Sequence, residues 1–325
     1  MNDGWLVVLQ KTSAMFLVMI AGWLAARRGL WKPEAGLTLS RFLVDLVYPC
    51  YVIVQFIRTV DTATLRGSWI VPVLGFLVVL VGALVGLLAG PAIRNPVRRR
   101  TAIFLVAITN WIYLPLPIAE GLFGAEGVRT ILLMNVGAQA AIWTVGVGIL
   151  NPGLSFRDSA RHVLVNPGII ATAIGLVLAV FLPSLGSGTG WAAAFQPVLA
   201  AADLLGSLTI PLSLLIVGAQ LGEKPISTLK PEPALGLVLL LRLVAAPAAA
   251  LGLVHVAATL GLVIPEVPRL CFLLVAAMPA ALSCTLFTER YNGDSLLSSK
   301  VIFASTLASL VTVPAFFKLI SFLGG

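Results

Sequence analysis

Ten apolar runs fill this chain, at approximately residues 5–26, 36–57, 69–93, 101–123, 127–150, 167–185, 195–221, 234–262, 268–288 and 296–321. Each is close to the roughly 20 residues that an α-helix needs to cross about 30 Å of hydrocarbon. In that solvent the backbone must satisfy its own polar groups, which leaves helices as the spanning form for such runs. Only 10% of the residues are charged and the mean hydropathy is +1.04, against about 25% charged in soluble domains. The sequence therefore predicts an all-α polytopic membrane protein with ten transmembrane helices. The first run lacks a basic region ahead of it, and its positive charges, Arg27 and Arg28, follow it, so it is expected to stay as a helix rather than to be cleaved as a signal peptide.

The connecting loops fix an orientation. One side carries Arg27, Arg28, Lys32, Arg94, Arg98, Arg99, Arg100, Arg157, Arg161, Lys224, Lys230 and Arg290, twelve in all; the other carries Arg58, Arg66, Arg129, Arg269 and Lys318, five in all. By the positive-inside rule the richer side is cytoplasmic, which places both termini outside the cytoplasm. The net charge of +8 is thus a topology signal, and no nucleic-acid partner is expected. Cys50, Cys271 and Cys284 are odd in number, lie inside apolar runs and lack metal-ligand spacing, so no disulfide framework and no metal site is implied. No nucleotide, metalloprotease or hydrolase motif stands in the chain; it is not expected to be an enzyme or to hold a cofactor.

The segment 151–166 divides the runs five and five. Residues 1–150 form a first five-helix repeat, 151–166 a cytoplasmic connecting loop and 167–325 a second repeat. Because five is odd, the second half must enter the membrane with the opposite orientation, the inverted repeat of many secondary transporters. An offset of 162 residues carries Pro49 onto Pro211 in runs 2 and 7, and Pro117 onto Pro279 in runs 4 and 9. Run 4 contains Thr109-Asn110-Trp111-Ile112-Tyr113-Leu114-Pro115-Leu116-Pro117. Two prolines two residues apart do not fit an unbroken helix, since each removes a backbone donor and its ring clashes with a carbonyl one turn back. Breaks at corresponding places in two halves are the best sequence pointer to a transporter site. The half-helices that start near Pro117 and Pro279 are expected to aim positive N-termini at one midplane cavity, which suits an anion.

These residues carry a resemblance. Asn110 to Pro117 resembles the run-4 crossover of the auxin efflux carrier family, whose pattern is Asn-x-x-x-x-Gly-x-Pro. Met278-Pro279, the segment Leu286-Phe287-Thr288-Glu289-Arg290-Tyr291-Asn292-Gly293-Asp294 and Val301-Ile302-Phe303 are similar to that family's ninth span and the loop after it. Gln139-Ala140-Ala141-Ile142-Trp143 resembles its fifth span, and Leu39-Ser40-Arg41-Phe42 with Pro49 its second. The resemblance implies crossing, broken spans 4 and 9, as in the bile acid and sodium symporters, a scaffold bundle with a mobile bundle, an elevator-like motion, frequent homodimers and export of small organic anions. It also implies a compact bacterial member in the inner membrane. Two departures stand out: Pro115 replaces the usual glycine, and Trp111 is bulkier than the small residue usual after the asparagine.

The polar residues inside the runs complete the reading, since such groups are expensive in lipid and often functional. Asn110 is the first substrate-binding candidate, with Trp111, Pro115, Pro117 and Pro279 framing the break. Asn135 and Gln139 are four apart and share a helix face, lining the cavity or joining helices. Ser283 and Thr285 follow the second break and offer hydroxyls. Glu120, Asp45 and Asp203 are the acids available for proton or ion coupling. Arg242, deep in run 8, needs a partner that one of these acids can supply. Gly82, Gly86 and Gly90 repeat every four residues, which allows close helix approach. The first functional expectation is a secondary or potential-driven carrier of a small organic anion. A sodium-coupled organic acid symporter is the alternative, and a membrane ligand sensor that moves nothing is the alternative of another class. Substrate, coupling ion and direction are left open by the residues.

Overall fold

The computed structural model describes residues 4–60, 67–88, 90–153, 155, 157, 161, 163–184, 190–223 and 232–323. Arg66, Lys224, Lys230 and parts of the connecting segment 151–166 lie outside the described residues. Within them the chain is helical, with one isolated antiparallel backbone bridge between Thr109 and Ala280. The helices are α1 (Gly4–Arg27), α2 (Pro33–Phe42), α3 (Tyr48–Thr59), α4 (Ile70–Leu87), α5 (Pro96–Ala107), α6 (Pro115–Ala141), α7 (Val147–Leu150) and α8 (Pro167–Ser184). There follow α9 (Gly190–Ser207), α10 (Thr209–Glu223), α11 (Pro233–Leu240), α12 (Ala246–Thr259), α13 (Glu266–Ala276), α14 (Cys284–Arg290) and α15 (Ser295–Leu323). Three wide π turns, Leu43–Val47, Ile142–Gly146 and Leu241–Ala245, join α2 to α3, α6 to α7 and α11 to α12. Such turns gather at functional sites, and these three carry Asp45, Trp143 and Arg242.

Seven described helices are long and apolar enough to cross a membrane, and Pro167–Phe181 is a shorter apolar one. The ten predicted spans do not appear as ten continuous helices, for two physical reasons. Spans 4 and 9 are interrupted, α5 ending at Ala107 and α13 at Ala276, each too short to cross alone. The second part of span 4 runs on into span 5 within Pro115–Leu150, the turn being made at Gly124, whose φ of 58° and ψ of −140° favour glycine.

The chain divides into two compact units: Met1–Ala14, Val71–Arg161 and Pro225–Gly325 in one, and Met15–Ile70 with His162–Lys224 in the other. Each unit draws on both halves of the sequence. In the larger, α4 and α6 meet backbone to backbone. A Cβ on Gly75 would fall 1.8 Å from the Met134 carbonyl oxygen, and one on Gly137 would fall 1.7 Å from that of Pro72. Gly82 and Gly86 bring α4 equally close to Val106 and Ile103 of α5, whereas Gly90 meets only the Arg99 side chain at 3.7 Å. The smaller unit uses the same device: Gly218 lies against the Met19 carbonyl and Gly22 against that of Leu215, with Cβ positions at 1.9 and 2.2 Å. In lipid, association rests on such packing, because the tails are as apolar as the helices. In the smaller unit, too, Arg58 holds Asp203 through two hydrogen bonds of 2.9 Å.

In the larger unit three helix starts share one charge cluster. Asn95 caps α5, accepting from Arg98 N at 3.0 Å, and Asp294 accepts from Leu297 N at 2.9 Å at the start of α15. Glu232, just before α11, pairs with Arg98 and with Lys300 at 3.1 Å, and Arg98 Nε lies 3.3 Å from Asp294. The Tyr291-Asn292-Gly293-Asp294 segment closes the arrangement. Asn292 takes a left-handed φ of 53°, Gly293 N donates to Thr288 O at 2.7 Å, a helix-ending motif, and Asp294 N donates to Thr101 Oγ1 at 2.9 Å.

Two outcomes follow. Gly75→Val places a branched side chain on a backbone carbonyl and is expected to cost at least about 1–3 kcal/mol of stability, while Gly252→Ala, with nothing within 4 Å of its Cβ, is neutral or stabilising; thermal unfolding in detergent measures both. Burial acts to raise the Glu232 pKa, but hydrogen bonds and positive charge from Arg98 and Lys300 prevail and hold it below the ordinary carboxylate value. Its contribution is therefore complete above the pKa of the unfolded chain and is lost as pH falls through the lower folded value. The wild-type midpoint should drop on acidification below about pH 5, and that of Glu232→Gln should start lower at neutral pH and drop less.

Candidate functional site

Both expected breaks are present in the larger unit. Residues 108–114 separate α5 from α6, and residues 277–283 separate α13 from α14, so Pro279 ends a helix rather than kinking one. The two broken segments pair with each other. Asn110 N donates to Pro279 O at 2.8 Å and Ala281 N to Ile108 O at 3.1 Å, which makes the two-residue antiparallel bridge at Thr109 and Ala280. The fully buried Thr109 Oγ1 lies 3.0, 3.2 and 3.3 Å from the carbonyl oxygens of Val275, Met278 and Pro279, and one hydroxyl proton serves the three in turn. Ser305 of α15 accepts from Ala280 N at 3.3 Å. Arg242 donates to Val106 O at 2.6 Å and to Ala276 O. The last carbonyls of α5 and α13, which have no partner within their own helices, are thereby satisfied.

Helix N-termini were expected to supply the donors of the site, and several of the first N–H groups are absent or already engaged. Pro115 and Pro117 have no N–H, and Leu116 N already donates to Ile112 O at 3.1 Å. At α14, seven residues long, Cys284 N donates to Ala281 O and Thr285 N to Leu282 O. Side chains add donors at the break. Asn110, 7% exposed, accepts from Tyr113 N through Oδ1 at 3.2 Å. A backbone N–H needs an acceptor, so this bond fixes the amide orientation and leaves Nδ2 as a donor with no partner among the described residues. The next residue, Trp111, is 6% exposed, and its indole Nε1–H is buried without a hydrogen bond. A buried unpaired donor is costly and calls for an explanation. Two consecutive side-chain donors suit an oxygen-rich, negatively charged group.

The other candidates are placed as follows. Asn135 is buried in α6 and accepts from Gln139 Nε2 at 3.5 Å, so the pair meets on one face as expected. Thr285 spends its hydroxyl proton on Leu282 O at 2.9 Å, which leaves it an acceptor, while Ser283 is exposed at the start of α14 and its side chain makes no capping hydrogen bond. Glu120 is exposed on α6. Asp45 is exposed in the smaller unit, where Asp203 is engaged by Arg58. Arg242 finds carbonyls, not an acid. Thr109, Ser305 and Cys284, whose Sγ lies 3.8 Å from Ile108 O, are the members that sequence reasoning missed; small hydroxyl and thiol residues beside a proline break were the available signal. No group of three or more possible metal ligands occurs among the described residues.

Comparison with known proteins decides the family. Residues 7–157 and 154–317 match the family described as membrane transport protein. The chain belongs to this family, that of the auxin efflux carriers. It is also similar to an uncharacterized transporter of Methanocaldococcus jannaschii, 23% identical over 303 residues that cover 92% of this chain and 94% of the relative. A second uncharacterized transporter, from Methanothermobacter thermautotrophicus, is 24% identical over 315 residues, 93% of this chain and 94% of the relative. Together with seven spanning-length apolar helices, membership in the family makes the chain an integral membrane transport protein. The family-like segments are also neighbours in space: Phe287 packs edge-on against Trp143 with ring centroids 5.2 Å apart, and against Phe104 at 5.7 Å.

Thr109→Val keeps the shape but strips the hydroxyl from three carbonyls; a loss of about 1–3 kcal/mol is expected, with Thr109→Ser close to wild type, as read by thermal unfolding.

Proposed function

We propose that this carrier moves a small organic anion across the bacterial inner membrane, with the anion held at the break by Asn110 Nδ2 and Trp111 Nε1. The observation that carries this reading is the pair of adjacent side-chain donors, Asn110 Nδ2 and Trp111 Nε1, that have no partner among the described residues and lie beside a helix N-terminus. Pro115 and Pro117 frame the pair, and the positive end of the α6 dipole adds to the attraction. The division into a unit built from spans 3–5 and 8–10 with the start of span 1, and another built from the rest of span 1 with spans 2, 6 and 7, supports alternating access by elevator-like displacement of a substrate-bearing bundle, within a five-plus-five inverted repeat and with both termini outside the cytoplasm. Homodimerisation follows from the family likeness. The drive is an ion gradient or the membrane potential, the latter worth about 2.3 kcal/mol per charge per 100 mV.

The test uses purified full-length protein and a carboxylate series of acetate, benzoate, succinate and malate. Binding raises apparent stability by mass action, so at least one member should raise the wild-type thermal midpoint. Asn110→Ala should keep the fold and lose that shift, with Trp111→Phe intermediate because the ring stays and the donor goes. Flux of the same carboxylate into liposomes distinguishes a carrier from a sensor. A shift that survives Asn110→Ala, or no shift with any of the four, would overturn the reading.

A further inference from the structure

Among the described residues Arg242 is the one charged side chain that is fully buried, 1% exposed, and none of the ion pairs found includes it. A guanidinium stays charged at any physiological pH, and an uncompensated buried charge costs several kcal/mol. Compensation comes from the backbone. Nη1 donates to Val106 O at 2.6 Å and Nη2 to Ala276 O, the penultimate and last residues of α5 and α13. Each helix C-terminus carries about half a negative charge, so two of them roughly balance one guanidinium. Nε has no partner.

We propose that Arg242 is a resident cation of the crossover, standing where a cation-coupled carrier would have to bind a mobile ion. Half-helix C-terminal ends and unwound carbonyls are the groups that coordinate sodium in carriers with broken helices. Here the helix-end oxygens of this kind that face Arg242 are taken, together with four others beside them. Val106 O and Ala276 O face the guanidinium, Val275, Met278 and Pro279 face Thr109 Oγ1, and Ile108 O accepts from Ala281 N. The guanidinium thus occupies the two helix-end oxygens with a cation that cannot leave. The positive charge that would hold an anion at the break is covalently part of the chain, and no sodium has to enter with the substrate. That last consequence rests on the anion reading; the occupancy of the carbonyl site by Arg242 does not.

The experiment compares thermal midpoints of the full-length wild type, Arg242→Ala, Arg242→Met and Arg242→Lys in sodium, potassium and choline chloride at equal ionic strength, with and without millimolar N-ethylguanidinium. The wild type should unfold at the same temperature in all three salts. Arg242→Ala should unfold several degrees lower and recover most of the loss with N-ethylguanidinium, which refills the vacated site with a cation, while Arg242→Met, its cavity filled, should not respond. Should Arg242→Ala fail to fold, Arg242→Lys is expected to retain more stability than Arg242→Met. Sodium-specific stabilisation of the wild type would overturn the inference, as would an Arg242→Ala that N-ethylguanidinium leaves unchanged, or an Arg242→Met more stable than Arg242→Lys. Failure of the carboxylate series with salt indifference intact would instead remove the anion reading alone.

Discussion

A helix interrupted inside hydrocarbon exposes backbone groups that have no water to turn to, and this constraint organises the larger unit. The groups freed in span 4 and span 9 are satisfied mostly by each other and by three side chains. Asn110 N reaches Pro279 O and Ala281 N reaches Ile108 O, while Thr109, Ser305 and Arg242 take others. Neither break is tolerable alone, since each provides the partners of the other. Two interruptions about half a chain apart therefore imply contact between them, a stronger statement than their spacing makes by itself.

Much of the fold was legible because the determinants are long-range only in effect. Hydrocarbon thickness sets run length, and the Pro115 and Pro117 pair and Pro279 mark where helices stop. What the sequence could not reveal depends on approach distances. Gly75 and Gly137 stood unremarked in apolar runs, yet they set the spacing of α4 and α6; Gly82 and Gly86 showed a pattern that Gly90 continues without a matching contact. Asp203 looked available for coupling and is held by Arg58.

The break was legible in its residues, and its hydrogen bonding was not. Asn110 and Trp111 stood among the candidates, but the donors were assigned to helix N-termini that the prolines themselves deplete, a conflict visible in the sequence once each N–H is followed to its acceptor. Arg242 was expected to seek an acid, because ion pairing is the familiar way to keep a buried charge. Two aligned helix ends do the same work, and no residue-type pattern records them.

The loss of N–H groups at Pro115 and Pro117 has an evolutionary side. A backbone donor survives nearly any substitution, so a pocket built from backbone amides keeps its preference while its side chains drift. In the proposed site, recognition falls to two adjacent codons, those of Asn110 and Trp111, within a bridge held by other atoms of the main chain. Lineages sharing this scaffold can change cargo by point replacement at those positions and leave the framework untouched.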